Sequence, residues 1–202
     1  MIAVRGSAVL TVNPGVKIQF NGGSNGIEIQ DGALKAIGTS DNLIKFTNVG
    51  SGLWKWIYFT EDANEESELK YAIIENGGYG TFVDGAMIRI DDVAINIDNV
   101  EIINSYSRGV MLKNSDSIIA NALFKCNGYA DFGGICNTTK ITGMVPAFDI
   151  QDSSPVVSDS VFKLNLIGIG SYGTSTLAFT NITFGEGGEA NIINTDPVDL
   201  TE

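Results

Sequence analysis

Short stretches of alternating apolar and polar residues run along this chain, separated by Gly, Asn, Asp and Ser. Examples are Ile27-Glu28-Ile29, Ile57-Tyr58-Phe59 and Ile88-Arg89-Ile90. Alternation with a period of two residues is typical of β-strands that have one buried and one solvated face. No segment sustains an apolar pattern of helical period for three turns. The pattern therefore predicts an all-β chain without a long helix.

The strand pattern repeats at a regular interval. One strand of each repeat opens 21 to 26 positions after the previous one, apart from a single step of 38 positions between Ile118 and Val156. A second strand precedes each opening strand, and a third follows it. Repeats of three short strands predict a parallel β-helix, a solenoid of about seven to eight coils stacked about 4.8 Å apart. The opening strands begin at Ile44, Leu69, Ile95, Ile118, Val156 and Leu177.

The long step marks an insertion into the repeat. The length of 202 residues suits one domain. We therefore expect a single β-helix domain over 1–202, with an inserted loop at about 128–145. The loop contains Cys136, and the only other cysteine is Cys126. Cys126 has two interpretations, a buried thiol that fills space in the core and a disulfide with Cys136.

Stacked coils place equivalent side chains directly above one another. Phe124, Phe162 and Phe184 are then expected to form an aromatic stack inside the domain. Asn tolerates left-handed backbone and its amide can bond to a copy in the next coil, so recurring Asn and Asp residues predict ladders that stabilise the turns. One ladder is predicted after the third strand and one before it, at Asn76, Asn104, Asn127 and Asn165 and at Asn99, Asn121, Asp159 and Asn181.

Charge and composition exclude several kinds of function. Twelve Lys and Arg against 24 Asp and Glu give a net charge of −12, which repels a nucleic-acid backbone. The apolar runs are only a few residues long, so the sequence predicts no membrane-spanning helix. The chain contains no His, which is the commonest acid or base near neutral pH and the commonest metal ligand.

Five segments carry a resemblance to a known group of proteins. The chain resembles the right-handed parallel β-helix proteins of the pectin-lyase-like fold, which are common on bacterial cell surfaces and among Bacteroidetes lipoproteins. The resemblance implies a right-handed coil and an extracellular or bacterial cell-surface location, although residues 1–7 show no intact secretion signal. The segments are Leu10–Ile18, Gly32–Thr39, Ile44–Thr47, Trp54–Phe59 and Leu69–Glu75.

The resemblance also raises the question of enzyme activity. Lyases of this fold hold Ca²⁺ with carboxylates and use Arg or Lys as a base, and Arg89 beside Asp91 and Asp92 is the matching cluster here. The alternative interpretation of that cluster is a surface ion pair. Hydrolases of the fold pair Asp residues with a His, and this chain has none.

The sequence assigns no cofactor. Ca²⁺ binding stays open as an alternative, because one acidic run has the oxygen ligands that Ca²⁺ prefers. The other interpretation of this run is a solvated loop between strands. The run comprises Glu61, Asp62, Asn64, Glu65, Glu66 and Glu68.

A ligand-binding surface is predicted on the outer side of the second strands. Glu28, Tyr58, Arg89, Met111 and Asp149 occupy equivalent outward positions, which stacking brings into one column. Aromatic faces beside carboxylate and guanidinium groups can hold sugar rings by stacking and hydrogen bonding.

Two tryptophans lie near the start of this column. Trp54 has two interpretations, an inward side chain that caps the core and an outward one. Trp56 stands where the resembling proteins usually have Gly, which adds an aromatic residue at an outward position. The predicted ligand-binding residues are Trp56, Tyr58, Arg89, Asp149 and Glu28.

The sequence thus favours a secreted or cell-surface module for rigid binding or adhesion, with carbohydrate or another surface component as its partner. Two alternatives stay open. One is a polysaccharide lyase or glycoside hydrolase of the pectin-lyase-like fold, and the other is a purely structural spacer. The sequence does not define an oligomeric state.

Overall fold

The computed structural model of the chain describes residues 1–80, 85–128, 145–185 and 190–194. These residues form twenty β-strands, and none of their segments is a helix of the length and apolarity needed to cross a membrane. The strands are β1 (Ile2–Val4), β2 (Val9–Val12), β3 (Lys17–Phe20), β4 (Ile27–Ile29), β5 (Ala33–Ile37), β6 (Ile44–Asn48), β7 (Ile57–Phe59), β8 (Glu68–Glu75), β9 (Ala86–Asp91), β10 (Asn96–Ile103), β11 (Arg108–Lys113), β12 (Ile118–Ala120), β13 (Leu123–Lys125), β14 (Pro146–Gln151), β15 (Val156–Ser158), β16 (Val161–Lys163), β17 (Ile167–Tyr172), β18 (Ala178–Thr180), β19 (Thr183–Phe184) and β20 (Ala190–Asn194).

The strands assemble into two parallel sheets, which confirms the predicted all-β class. The first sheet has eight strands in the order β1-β4-β7-β9-β11-β14-β17-β20. The second sheet takes the twelve strands that lie between these in the sequence. Neighbours within each sheet therefore come from successive repeats, as in the pairing of β9 with β11 and of β10 with β12. This topology is compatible with the predicted β-helix.

Several predicted repeat starts are wrong. Leu69 pairs with Ile97 and not with Ile95, and Val156 pairs with Ala178 and not with Leu177.

The largest mismatch is at the first of the predicted opening strands. Ile44 was expected to be equivalent to Leu69, but Ile44 pairs with Ala72 and Leu69 pairs with Ala36. In this repeat the opening strand and the third strand form one continuous strand, β8. Both β5 and β6 of the preceding repeat therefore pair with β8. Apolar alternation is the same in β5 and β6, and it therefore cannot distinguish which of the two matches the first half of β8.

The apolar positions of both sheets form one buried cluster, and aromatic rings lie at its C-terminal end. The ring centroids of Phe124 and Phe162 are 4.4 Å apart at an interplanar angle of 9°. Phe184 continues the stack at 5.5 Å from Phe162, which confirms the predicted arrangement. Phe148 reaches the same stack from the first sheet, with its ring 5.6 Å from that of Phe124.

The left-handed turns predicted before the third strand are confirmed, and the predicted side-chain ladder is found in part. Asn121 donates to Asp98 Oδ1 at 2.8 Å and not to Asn99. Asn99, Asn121, Asp159 and Asn181 all have positive φ angles, between 50° and 55°. The amide of Asn181 donates to Asp159 Oδ1 at 2.7 Å, which links two successive repeats. Asn and Asp fit these positions because their side chains offset the cost of left-handed backbone with local hydrogen bonds.

The ladder predicted after the third strand is two neighbouring ladders instead. Asn104 Nδ2 donates to Asn76 Oδ1 at 3.3 Å, and both residues have positive φ. Asn127 Nδ2 donates to Asn165 Oδ1 at 3.1 Å in a buried pair one position further along. Cys126, not Asn127, has the positive φ of the first ladder. The prediction was wrong by one residue because Asn occurs at both adjacent positions.

Cys126 is buried and forms a disulfide, so the free-thiol interpretation is excluded. Cys136, the only other cysteine of the chain, lies outside the described residues. The predicted insertion at about 128–145 is described only at its two ends.

Candidate ligand-binding groove

The five residues of the predicted outward column lie in one row across the first sheet. Tyr58 pairs with Glu28 on one side and with Arg89 on the other. Met111 pairs with Arg89 and with Asp149. The alignment of this row, defined as Glu28, Tyr58, Arg89, Met111 and Asp149, therefore agrees with the sequence pattern.

Exposure changes along the row. Glu28, Tyr58 and Arg89 are partly exposed, whereas Met111 is 3 % exposed and Asp149 is completely buried. The accessible part of the row is therefore its β4–β7–β9 end.

The buried Asp149 carboxylate is hydrogen-bonded to two neighbouring side chains. Its Oδ2 accepts a hydrogen bond from Arg108 Nε, and its Oδ1 accepts one from Gln151 Nε2 at 3.2 Å. Burial, and secondarily the charge of Asp149, raises the pKa of Tyr172. Of the predicted ligand-binding residues, Asp149 thus belongs to a buried ion pair and not to the accessible surface.

Trp56 and Tyr58 form an aromatic pair at the accessible end. They lie two positions apart on one side of the strand, with ring centroids 5.1 Å apart and an interplanar angle of 54°. Lys55 Nζ lies 3.6 Å from the centroid of the Trp56 ring. Trp56 Nε1 is the one buried side-chain nitrogen or oxygen in the described part of the chain that has no hydrogen-bond partner.

Gly26 allows the backbone at Trp56 to approach the preceding repeat. The N–H of Ile27 donates to the carbonyl oxygen of Trp56 at 2.9 Å. A Cβ atom at Gly26 would lie 2.3 Å from that oxygen, far inside normal contact distance. Glycine at position 26 is therefore required to hold Trp56 in place.

Trp54 points the other way. Its ring is fully buried and stacks on Phe20 with centroids 4.5 Å apart, and its Nε1 donates to the carbonyl oxygen of Glu75 at 2.8 Å. The inward interpretation of Trp54 is confirmed, so Trp56 is the tryptophan that lies on the outer face.

Arg89, Asp91 and Tyr58 are joined by charged hydrogen bonds. Arg89 donates to Asp91 through Nε at 3.0 Å and through Nη2 at 2.6 Å. The Tyr58 hydroxyl donates to Asp91 Oδ2 at 2.9 Å. Burial, together with the negative charge of Asp91, raises the pKa of Tyr58 to about 12. The phenol therefore stays protonated, and its hydrogen is committed to Asp91.

A groove of about 510 Å³ opens beside this network. The far side of the groove is formed by a second row of residues, each two positions after a residue of the first row in the same strand. In this second row Lys113 pairs with Asp91. We name this cavity the acidic groove, because five of its nine lining residues are carboxylates. The nine are Glu28, Gln30, Tyr58, Thr60, Glu61, Asp62, Asp91, Asp92 and Lys113.

The carboxylates predicted as a Ca²⁺ ligand set are divided between two places. Glu61 and Asp62 line the acidic groove, whereas Glu68 bonds to Lys70 at 2.9 Å and to Lys35 at 3.4 Å on the second sheet. The Lys70 hydrogen bond lowers the pKa of Glu68. Within the described ranges, no group of three or more His, Cys, Asp or Glu residues is placed to hold a metal ion.

Sequence reasoning missed Gln30, Thr60 and Lys113 as groove residues. Each lies two positions after a residue of the predicted row, and in a strand this spacing places side chains on the same face. A prediction that also took the residues two positions after each member of the row would therefore have found them. Arg108 was also missed as the partner of Asp149, because its position at the start of β11 carries no spacing signal.

The chain matches no protein-family model, and no curated protein or solved structure has significant similarity to it. The comparisons therefore give no support to the resemblance to pectin-lyase-like proteins, and the parallel sheets are compatible with a β-helix only.

Proposed function

We propose that this chain is a right-handed parallel β-helix of about seven to eight coils that binds carbohydrate as a rigid module outside the cell or at a bacterial surface. The parallel pairing of successive repeats in both sheets supports the coil. The disulfide at Cys126 supports an oxidising compartment, because such bonds are rare in the cytosol.

The observation that carries the proposal is the aromatic pair Trp56–Tyr58 at the edge of a polar groove. Sugar rings have apolar faces that pack on aromatic rings and hydroxyl rims that need hydrogen-bond partners. Gln30 and Thr60 and the groove carboxylates supply such partners. A volume of about 510 Å³ lies within the range of ligand sites in proteins.

Binding fits the groove better than cleavage by a lyase. A lyase base must accept a proton, but Arg89 is held as a cation by its double contact with Asp91. The groove carboxylates would also repel the acidic polysaccharides on which lyases of the resembling fold act.

A glycan array with purified parent protein and Trp56→Ala tests the proposal. The parent should retain a defined set of glycans, and Trp56→Ala should lose them because the aromatic pair that Trp56 forms with the lining residue Tyr58 is removed. Val156→Ala is the matched control, since Val156 is an exposed apolar residue on the other sheet. Thermal unfolding of all three proteins checks their folding.

Three results would contradict the proposal. Retention of no glycan by the parent would favour the spacer, and equal retention by Trp56→Ala would place binding elsewhere. Release of unsaturated sugars from an acidic polysaccharide would show a lyase.

A further inference from the structure

The charges that face the acidic groove are strongly unbalanced. Five carboxylates line it against one ammonium group, that of Lys113. Arg89 neutralises Asp91 from the side, which still leaves an excess of three negative charges. A groove of this sign attracts cationic groups and repels anionic ones.

Three of the carboxylates are fixed in place. Glu28 Oε1 accepts a hydrogen bond from Gln30 at 2.7 Å, and Asp92 Oδ1 accepts one from Asn114 at 2.9 Å. Asp91 is fixed by Arg89 and Tyr58, as described above. Because these groups are held by the folded sheet, a ligand does not have to order them when it binds.

The fixed carboxylates are spread along the groove. Glu28 lies on β4 and Asp91 on β9, two strand spacings apart across β7, which is roughly 10 Å. An extended oligomer that crosses the strands therefore meets carboxylates at more than one of its units.

The lining favours a sugar over a peptide. None of the nine lining residues is aliphatic, so the groove offers no pocket for apolar peptide side chains. It offers carboxylate, amide and hydroxyl groups, with the Trp56–Tyr58 pair at its edge. Hydroxyl groups, an ammonium group and a ring face occur together in an amino sugar.

We propose that the acidic groove selects glycans with free amino groups, such as oligomers of glucosamine, over N-acetylated and uronic-acid glycans. This inference depends on the proposed carbohydrate-binding function and specifies its ligand class. Ammonium groups of the oligomer would pair with Glu28, Asp62 and Asp92, which Arg89 does not neutralise, and a sugar ring would pack at the Trp56–Tyr58 edge.

Calorimetric titration tests the selection with four probes: tetraglucosamine, tetra-N-acetylglucosamine, trigalacturonate and pentalysine. Tetraglucosamine should bind most tightly, and its affinity should fall as salt is raised because exposed charges are screened. Asp62→Asn and Asp92→Asn remove exposed groove charges, and each should weaken this binding about two- to fivefold at low salt. Asp41→Asn, an exposed carboxylate that does not line the groove, should leave the affinity unchanged.

The outcomes separate this inference from the proposed function. Equal affinity for the acetylated oligomer, or preference for trigalacturonate, would overturn the amino-sugar selection while carbohydrate binding stands. Tight binding of pentalysine without binding of any glycan would overturn both in favour of a basic peptide. Equal weakening by Asp41→Asn would show that overall charge, not the groove, attracts the ligand.

Discussion

Two Arg–Asp pairs lie on the first sheet, and the Arg89–Asp91 pair borders the acidic groove. The carboxylate of Asp149 is completely buried, whereas that of Asp91 is 10 % exposed. The two arginine side chains differ little, at 10 % exposed for Arg108 and 13 % for Arg89. Each Asp has an additional donor, Gln151 in the first pair and Tyr58 in the second.

The difference shows that residue type alone does not define a site on this sheet. A buried pair gains stability from its partners but offers nothing to a ligand. A pair at the groove edge orients neighbouring groups and remains within reach of a ligand. We therefore assign Arg108 and Asp149 to the fold, and Arg89 and Asp91 to the groove.

Removal of Arg108 should have the largest effect on stability. Arg108→Met leaves the Asp149 carboxylate buried without its cation, which costs about 3–5 kcal/mol of unfolding free energy. Chemical denaturation measures this loss. The double variant Arg108→Met/Asp149→Leu should recover most of it, because no buried charge is left. A single variant as stable as the parent would contradict the buried pair.

Removal of Arg89 should have a smaller effect on stability and a larger one on binding. Arg89→Met costs about 1–3 kcal/mol, because Asp91 keeps its Tyr58 donor and some contact with water. Glycan affinity should fall because Asp91 and Tyr58 lose their fixed positions. Denaturation and calorimetry on the same samples test both halves. A stability loss as large as that of Arg108→Met would remove the contrast between the pairs.

High pH should weaken the protein through Tyr58. Its pKa is raised from 10.0 to about 12 in the folded state, so the stabilisation is fully present below pH 10 and is lost as the pH rises through about 12. Tyr58→Phe should show a smaller fall in unfolding free energy across this range. Tyr172→Phe is the comparison variant at the buried pair, where the pKa is also raised. An unchanged pH profile in Tyr58→Phe would contradict the raised pKa of Tyr58, whose causes are burial first and Asp91 second.

The smallest effect is expected on the second sheet. Lys70→Gln removes the main cause of the lowered pKa of Glu68, and it should cost no more than about 1 kcal/mol because the pair is partly exposed. The Lys70 stabilisation is present above the usual Glu pKa of 4.5 and is lost as the pH falls through the lowered value. Denaturation at neutral and acid pH measures the difference, which should vanish in acid.

Much of this arrangement was predictable from the sequence because parallel strands repeat a two-residue pattern. The row from Glu28 to Asp149 and the stack of Phe124 on Phe162 follow from that period. The inward Trp54 does not, because the same alternation places it on the side of Trp56 and Tyr58, yet its ring is buried in the core. Periodicity gives the face on which a residue lies, and stacking then gives its neighbours.

The remaining features depend on distances that periodicity does not contain. Asp149 occupies an outward position yet is buried, because the long side chain of Arg108 reaches it from another strand position. Asp62 comes from a turn, and its place in the groove depends on the path of that turn. The predicted equivalence of Ile44 and Leu69 was wrong because β5 and β6 have the same alternation of apolar and polar residues, and either could match the first half of β8.

The two indole N–H groups of the chain provide the most direct test of the groove. Trp54 Nε1 is bonded to Glu75 inside the core, whereas Trp56 Nε1 is buried without a partner, in a ring that packs beside the groove residue Tyr58. NMR spectra recorded during titration with tetraglucosamine should show the Trp56 indole signal shifting in proportion to binding while the Trp54 signal stays fixed. Binding that leaves the Trp56 signal unchanged would contradict the account.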